Sequence, residues 1–370
     1  MGYMVMKYTR IQIGDSINDI PSPTLLIDMD ALENNYEVVA REYRASNCKM
    51  RQHAKNIKSP QVLKMQMEAG GTVGGVCTAK VSEAEVMFES GINDILITSE
   101  IVDVSKMERM VKLSLNCDLK VVVDNVHSLK ELGTIASNFG ATVGVLIEVD
   151  TSMNRAGVRS VEEGVQLAKF AETLSGIAFK GVMSHQSING WPDRSTRFEE
   201  GKEFIGMCLD VKKGIEDAGI KVEIVSSGET YTYDLASSMP EVTEVEGGTY
   251  ALMSTTAGYM DEFKYAAKIL TRVVDVRDDL IFLDVGIKAL AAPNGVRPQI
   301  DGYPDIKFER LDDTYSVFKR PNNFVTDIGQ QFKLLSGQQD ILVNRWDQFV
   351  AIRDDVVVAV WPIEARGCHH

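Results

Sequence analysis

Met50-Arg51-Gln52-His53-Ala54-Lys55-Asn56 sets a guanidinium, an imidazole and an amine at alternate positions. In an extended strand successive side chains alternate, so Arg51, His53 and Lys55 share one face. A lysine amine condenses with an aldehyde only when neutral, and desolvation beside Arg51 and His53 would lower its pKa toward that form. The spacing equally suits a solvated lysine that opens the next helix, and it leaves both readings open.

These residues need a scaffold. From about Cys48 to Tyr250 eight β-rich runs alternate with amphipathic stretches: KMRQHA, GTVGGVCTA, DILITS, LKVVVD, ATVGVLIEVD, AFKGVMS, KVEIVSS and EVTEVEGG. Between them SPQVLKMQMEAG, KVSEAEVMFESG, DVSKMERMVKLSL and SVEEGVQLAKFAETLSG read as helices, several closed by glycine. Val- and Ile-rich strands separated by helices indicate a parallel sheet, and eight such units predict a (β/α)8 barrel; an open doubly wound sheet is the alternative. After Tyr250 the texture becomes strands joined by tight polar turns with no clear helix. The expected domains are a barrel over 31–258 and a β-rich domain made of 1–30 and 259–370. PTLLIDMD is expected to add a strand to the barrel.

Barrel enzymes work at the C-terminal ends of their strands, with phosphate sites commonly after strands seven and eight. There the sequence has Ser227-Gly228-Glu229-Thr230-Tyr231 and Gly247-Gly248-Thr249-Tyr250, whose main-chain N–H groups could hold a phosphate. Gly228, Thr230, Tyr231, Gly248, Thr249 and Tyr250 are the candidates. A carboxylate at Glu229 would repel a phosphate unless it points away.

The formal charge of −14 disfavours a nucleic-acid partner, which needs a basic face. No run approaches the ~20 apolar residues of a membrane helix, and the N-terminus has no leader-like segment. Five scattered cysteines without a CxxC pair suggest free thiols in a reducing, cytoplasmic setting.

Arg-x-His-x-Lys after Pro23-Thr24-Leu25-Leu26-Ile27-Asp28 resembles the D-threonine aldolase and D-serine dehydratase group of alanine-racemase-like (fold-type III) pyridoxal-phosphate enzymes. Val76-Cys77-Thr78 through Glu85, Glu148-Val149-Asp150 through Val158, and Val360-Trp361-Pro362 through Gly367 extend the likeness along the chain. The resemblance implies pyridoxal 5′-phosphate held as a Schiff base on Lys55. It places His53 near the cofactor ring, and Arg51, Thr78 and Arg155 among the cofactor contacts. His185 and Gln186 stand where the group usually shows a tyrosine or another polar pair. A homodimer is implied as well.

The group's lyases hold a divalent metal through a histidine and an aspartate or cysteine near the C-terminus. Here Asp340 matches but Gln338 stands at the histidine position, a poor zinc donor acceptable to hard cations. The expected function is a lyase acting on a small β-hydroxy D-amino acid, by aldol cleavage or loss of water. The altered metal pair keeps open a metal-independent racemase or epimerase, with Tyr259, Tyr265 or Tyr303 as a second base. A non-catalytic cofactor-binding protein is a third possibility.

Overall fold

A computed structural model describes residues 11–186, 188, 192–292 and 295–370. The N-terminal stretch read as lacking a leader lies, up to residue 10, outside them.

The eight β-rich runs form a closed parallel barrel: β2 (Lys49–His53), β3 (Thr72–Thr78), β4 (Asp94–Ile97), β5 (Asp118–Val123), β6 (Val143–Glu148), β7 (Ile177–Ser184), β8 (Ile224–Ser227) and β9 (Glu244–Gly247). Closure comes from β9 pairing with β2, Arg51 opposite Glu246. Helices α1 (Met29–Tyr43), α2 (Pro60–Ala69), α3 (Val81–Glu89), α4 (Val104–Ser114), α5 (Val126–Asn138), α6 (Val161–Ala171) and α7 (Arg194–Asp217) alternate with these strands, as the sequence predicts. The starts of α4, α5, α6 and α7 are fixed by Asp103, Asn125, Ser160 and Asp193, each accepting from an N–H three residues on. Gly70 closes α2 at φ +93°, a conformation costly for any residue with a Cβ. The barrel's own packing includes Cys77, Leu96, Val122, Leu146 and Met183 from alternate positions of five strands.

The compact unit holding the barrel is Tyr36–Tyr250 with Gly367–His370, and a second unit comprises the described residues up to Asn35 with Ala251–Arg366. The second unit is built on a nine-stranded sheet. Its strands include β1 (Thr24–Asp28), β10 (Ala267–Arg277), β11 (Leu280–Leu283), β16 (Gln348–Arg353) and β17 (Val356–Pro362). The β16–β17 turn is Asp354-Asp355, both at positive φ, the geometry a two-residue hairpin of this twist demands.

Two expectations are corrected. The PTLLIDMD strand, β1, does not join the barrel: it pairs antiparallel with β10 and parallel with β16, and a closed eight-stranded barrel has no edge to offer. The stretch KLLSGQQDILVNRW is not all strand and turn, because Gln339–Val343 forms a short helix, α10.

Candidate active site

β2 runs out at His53, and Ala54–Asn56 turn as a single 3₁₀ unit, which lifts Lys55 off the strand at its C-terminal end. His53 Nδ1 accepts from the Lys55 main-chain N–H at 3.4 Å. His53 Nε2 lies 3.3 Å from Thr98 Oγ1, whose hydroxyl donates to the Thr78 carbonyl at 3.3 Å. An imidazole that accepts at Nδ1 and faces a committed hydroxyl at Nε2 is the neutral Nε2–H tautomer. Burial, with Lys55, His185, Lys58 and Arg155 nearby, holds the His53 pKa well below its ordinary value, in agreement.

The Lys55 amine makes no hydrogen bond or ion pair with the described residues and lines a small cavity with His53, Ser99, Arg155, His185 and Glu246. Arg155 follows β6 on a turn whose Gly157, at φ +111°, packs against the Asp150 main chain. Its guanidinium stands half exposed, 4.0 Å from Glu148 Oε1. His185 follows β7; burial first, then Lys55 and Arg155, lower its pKa to about 3, so it too is neutral.

The two glycine turns follow β8 and β9, the seventh and eighth barrel strands. Gly228 sits at φ +113°. A Cβ on Gly248 would lie 2.1 Å from Asn56 Oδ1, so that glycine lets the turn close against the segment bearing Lys55. The Tyr250 N–H donates to Thr230 Oγ1 at 3.3 Å, linking the turns. The Tyr250 hydroxyl donates to Gln52 Oε1 and is fully buried. Thr249 opens a short helix, α9 (Thr249–Leu252), and Tyr231 lies buried in the 3₁₀ turn Thr230–Thr232. Gln186 donates to Ser184 Oγ and Ser227 Oγ at 3.0 and 3.3 Å, while its Oε1 has no partner among the described residues. Thr78 Oγ1 is likewise buried and unpartnered.

Arg51 differs from expectation. Its guanidinium donates to both Glu244 oxygens at 2.9 Å, to Asp94 at 2.9 and 3.3 Å, and to the Val76 carbonyl at 3.4 Å. All five N–H donors are taken, and none is left for a cofactor. Burial alone would lower its pKa, but Glu244 and Asp94 outweigh that and raise it. Asp94 also accepts from Lys120 at 2.9 Å, so a buried ion cluster closes the barrel below the Lys55 end.

Acidic groups are what the sequence reading underweighted. Glu246 on β9 accepts from Ser226 Oγ at 3.1 Å, and burial, then Glu244, push its pKa to about 7. Glu148, at the end of β6, is raised to about 9 by burial and by the neighbouring Glu100 carboxyl. Glu229 is buried, with Oε2 3.9 Å from His185 Nε2 and Oε1 without a partner among the described residues; burial raises it to about 8, against the opposing pull of the Ile188 N–H and Lys55. The readable signal was the alternation in Glu244-Val245-Glu246, two acids on one face of a strand otherwise built for a core.

One group of three side chains could reach a single metal among the described residues: His53, Cys77 and Glu246. The Cys77 thiol points at the Gln52 carbonyl, 3.7 Å away, and burial, then Glu246, hold its pKa well above normal. Of the expected pair, Gln338 precedes α10, and Asp340 Oδ1 accepts from the Ile341 N–H at 2.8 Å. Tyr303 packs edge-on to Phe324 and Phe332 as part of an aromatic cluster.

Comparison with known proteins places this arrangement. The chain is 31% identical over 366 residues to the 3-hydroxy-D-aspartate aldolase of Paracoccus denitrificans strain Pd 1222, covering 95% of this chain and 93% of that protein. It is 29% identical to the D-threonine aldolase of an Arthrobacter species, covering 96% and 95%. The crystal structure of D-threonine aldolase from Filomicrobium marinum superposes with a TM-score of 0.93 at 27% identity, covering 98% of this chain and all of that one. The family profile described as alanine racemase, N-terminal domain, matches residues 27–255. The chain belongs to the alanine racemase N-terminal domain family.

Proposed function

We propose that this protein is a pyridoxal-phosphate-dependent lyase that acts on a β-hydroxy D-amino acid, with Lys55 as the covalent attachment point. The observation that carries the reading is Lys55 itself: an amine with no hydrogen bond or ion pair among the described residues, at the C-terminal mouth of a closed barrel, with the two glycine turns after β8 and β9. The aldolases of Paracoccus and Arthrobacter, similar over nearly the whole chain, supply the reaction class.

The residues present fit the cofactor. Thr78 Oγ1 and Gln186 Oε1 are buried polar atoms that lack partners among the described residues, and Gly228 and Gly248 keep two turns free of side chains. The main-chain N–H groups around Gly228–Thr230 and Gly248–Thr249 would hold its phosphate. Bound, the cofactor supplies an electron sink at the substrate Cα.

Each residue has a separate task. His53, neutral, fixes the Lys55 main chain through Nδ1 and so aims the amine. Lys55 would hold the cofactor and is the residue that would be placed to move a proton at the substrate Cα. Arg155 orients and cannot act as a base. Arg51 belongs to the barrel's ion cluster. Gln338 and Asp340 themselves offer at most a weak hard-cation site.

The homodimer and the cytoplasmic location rest on the family resemblance and on the five free cysteines. No helix among the described residues is long and apolar enough to cross a membrane. The test of function is product analysis with a panel of β-hydroxy D-amino acids, with metal content measured on the same sample. An aldehyde plus glycine supports aldol cleavage, and a 2-oxo acid plus ammonia supports dehydration. α-Deuterium exchange with inversion and no cleavage would replace the lyase with a racemase.

A further inference from the structure

We infer that His53, Cys77 and Glu246 form a site for a thiophilic divalent cation such as zinc or cadmium, separate from Gln338 and Asp340. An ion there opposes attachment of the cofactor to Lys55, a consequence that rests on the function proposed above.

Three neighbouring barrel strands bring the trio together. In the parallel register β2 sets His53 opposite Cys77 of β3 and Arg51 opposite Glu246 of β9. All three residues are buried, at 5%, 0% and 3% exposure. One donor atom from each lies within 4.8 Å of the other two. Donors on a single tetrahedral zinc ion stand roughly 3–4 Å apart, so side-chain shifts of about an ångström close the set. Imidazole, thiolate and carboxylate together suit zinc or cadmium and are a poor match for magnesium.

The donors are loosely held. The Cys77 thiol reaches the Gln52 and Arg51 carbonyls only at 3.7 and 3.9 Å. Glu246 accepts from Ser226 Oγ through Oε1, and its Oε2 makes no hydrogen bond with the described residues. When the ion binds, the Cys77 S–H bond is exchanged for a sulfur–metal bond and the proton leaves to water. Thiolate and carboxylate then carry two negative charges against the two positive charges of the ion. Arg51 is matched by Glu244 and Asp94, and Lys58 by Glu83.

The link to Lys55 runs through His53. A neutral imidazole has one nitrogen lone pair, and here Nδ1 spends it on the Lys55 main-chain N–H at 3.4 Å. An ion at Nδ1 takes that lone pair. An ion at Nε2 moves the ring proton to Nδ1, where it faces the Lys55 N–H. Either way the contact that fixes Lys55 is lost. His53 and Glu246 also line the cavity that holds the Lys55 side chain, so the ion and a group joined to Lys55 share one approach. Antagonism between two ligands is reciprocal: the cofactor must weaken the metal as much as the metal weakens the cofactor.

The holoenzyme, and the same preparation freed of cofactor with hydroxylamine, are equilibrated with zinc and with magnesium, and bound metal is measured after gel filtration. We expect about one zinc ion per chain in the cofactor-free sample and at least about tenfold weaker zinc binding in the holoenzyme. Zinc should raise, at least about tenfold, the pyridoxal phosphate concentration needed to restore the visible absorption. Cys77→Ala should regain that absorption, which shows it folded, yet bind zinc at least about tenfold more weakly and lose the antagonism. Asp340→Asn should leave zinc binding by the cofactor-free protein unchanged. Zinc bound equally by Cys77→Ala, or magnesium bound as tightly as zinc, overturns the site. Equal zinc binding with and without cofactor overturns the antagonism. Zinc uptake through Cys77 by a protein that takes up no pyridoxal phosphate supports the site and refutes the cofactor reading instead.

Discussion

Arg51→Met separates a structural cation from a cofactor contact. The guanidinium is 2% exposed and spends every donor on Glu244, Asp94 and the Val76 carbonyl. Methionine keeps most of the volume but strands Glu244, whose side chain is 5% exposed, without its cation. Removing one partner of a buried ion pair costs about 3–5 kcal/mol. For a unit of roughly 200 residues, each kcal/mol moves Tm by about 2–4 °C, so a loss of about 6–20 °C is expected. The double variant Arg51→Met/Glu244→Leu should recover much of it, since apolar replacement of a whole pair is often neutral, and Lys120 still serves Asp94 at 2.9 Å. Arg51 and Lys120 hold the Asp94 pKa below its ordinary value against the opposing effect of burial. That contribution is present at neutral pH and is lost only as the pH falls below the usual carboxylate range. Thermal unfolding with cofactor affinity measured on the same folded samples decides the matter. A Tm change under about 2 °C together with loss of cofactor binding would refute the structural assignment.

Three other outcomes are expected. Gly248→Ala drives a Cβ into Asn56 Oδ1, beside Lys55, so cofactor affinity by dialysis should fall more than Tm. Gly228→Ala, at φ +113°, should instead lower stability by about 1–3 kcal/mol through backbone strain, seen as a fall in Tm. Glu229, Glu246 and Glu148 have raised pKa values of about 8, 7 and 9. The folded state then holds protons that the unfolded chain releases near its ordinary carboxylate pKa, so stability is greatest below that value and declines as pH rises from about 5 to 9. Tm followed across that range should fall, and Glu148→Gln should flatten the slope; a rising curve contradicts the assignments. The purified protein should carry little zinc by elemental analysis, and Gln338→His should raise zinc affinity if Asp340 is placed to share an ion.

The fold was legible because the signals were periodic. Eight Val- and Ile-rich runs between glycine-closed helices have few solutions other than a closed parallel barrel, and the Asp354-Asp355 hairpin was written in its turn residues. β1 was misplaced because a short apolar strand says nothing about which sheet will pair with it. α10 was missed because a five-residue helix spans too few turns to show a period. The alternation around Lys55 was legible too, but alternation could not show that Arg51 would be consumed by Glu244 and Asp94, residues far away in sequence. The same limit hid Glu229, Glu246 and Glu148, whose importance comes from burial and from one another rather than from local pattern.

Lys55 as the attachment point is the claim on which the rest depends. The holoenzyme is reduced with borohydride, digested, and its peptides mapped by mass spectrometry. The account predicts a single pyridoxyl adduct on the peptide spanning Lys55, loss of the visible absorption on reduction, and no adduct in Lys55→Ala. An adduct on any other lysine, with Lys55 unmodified, contradicts it.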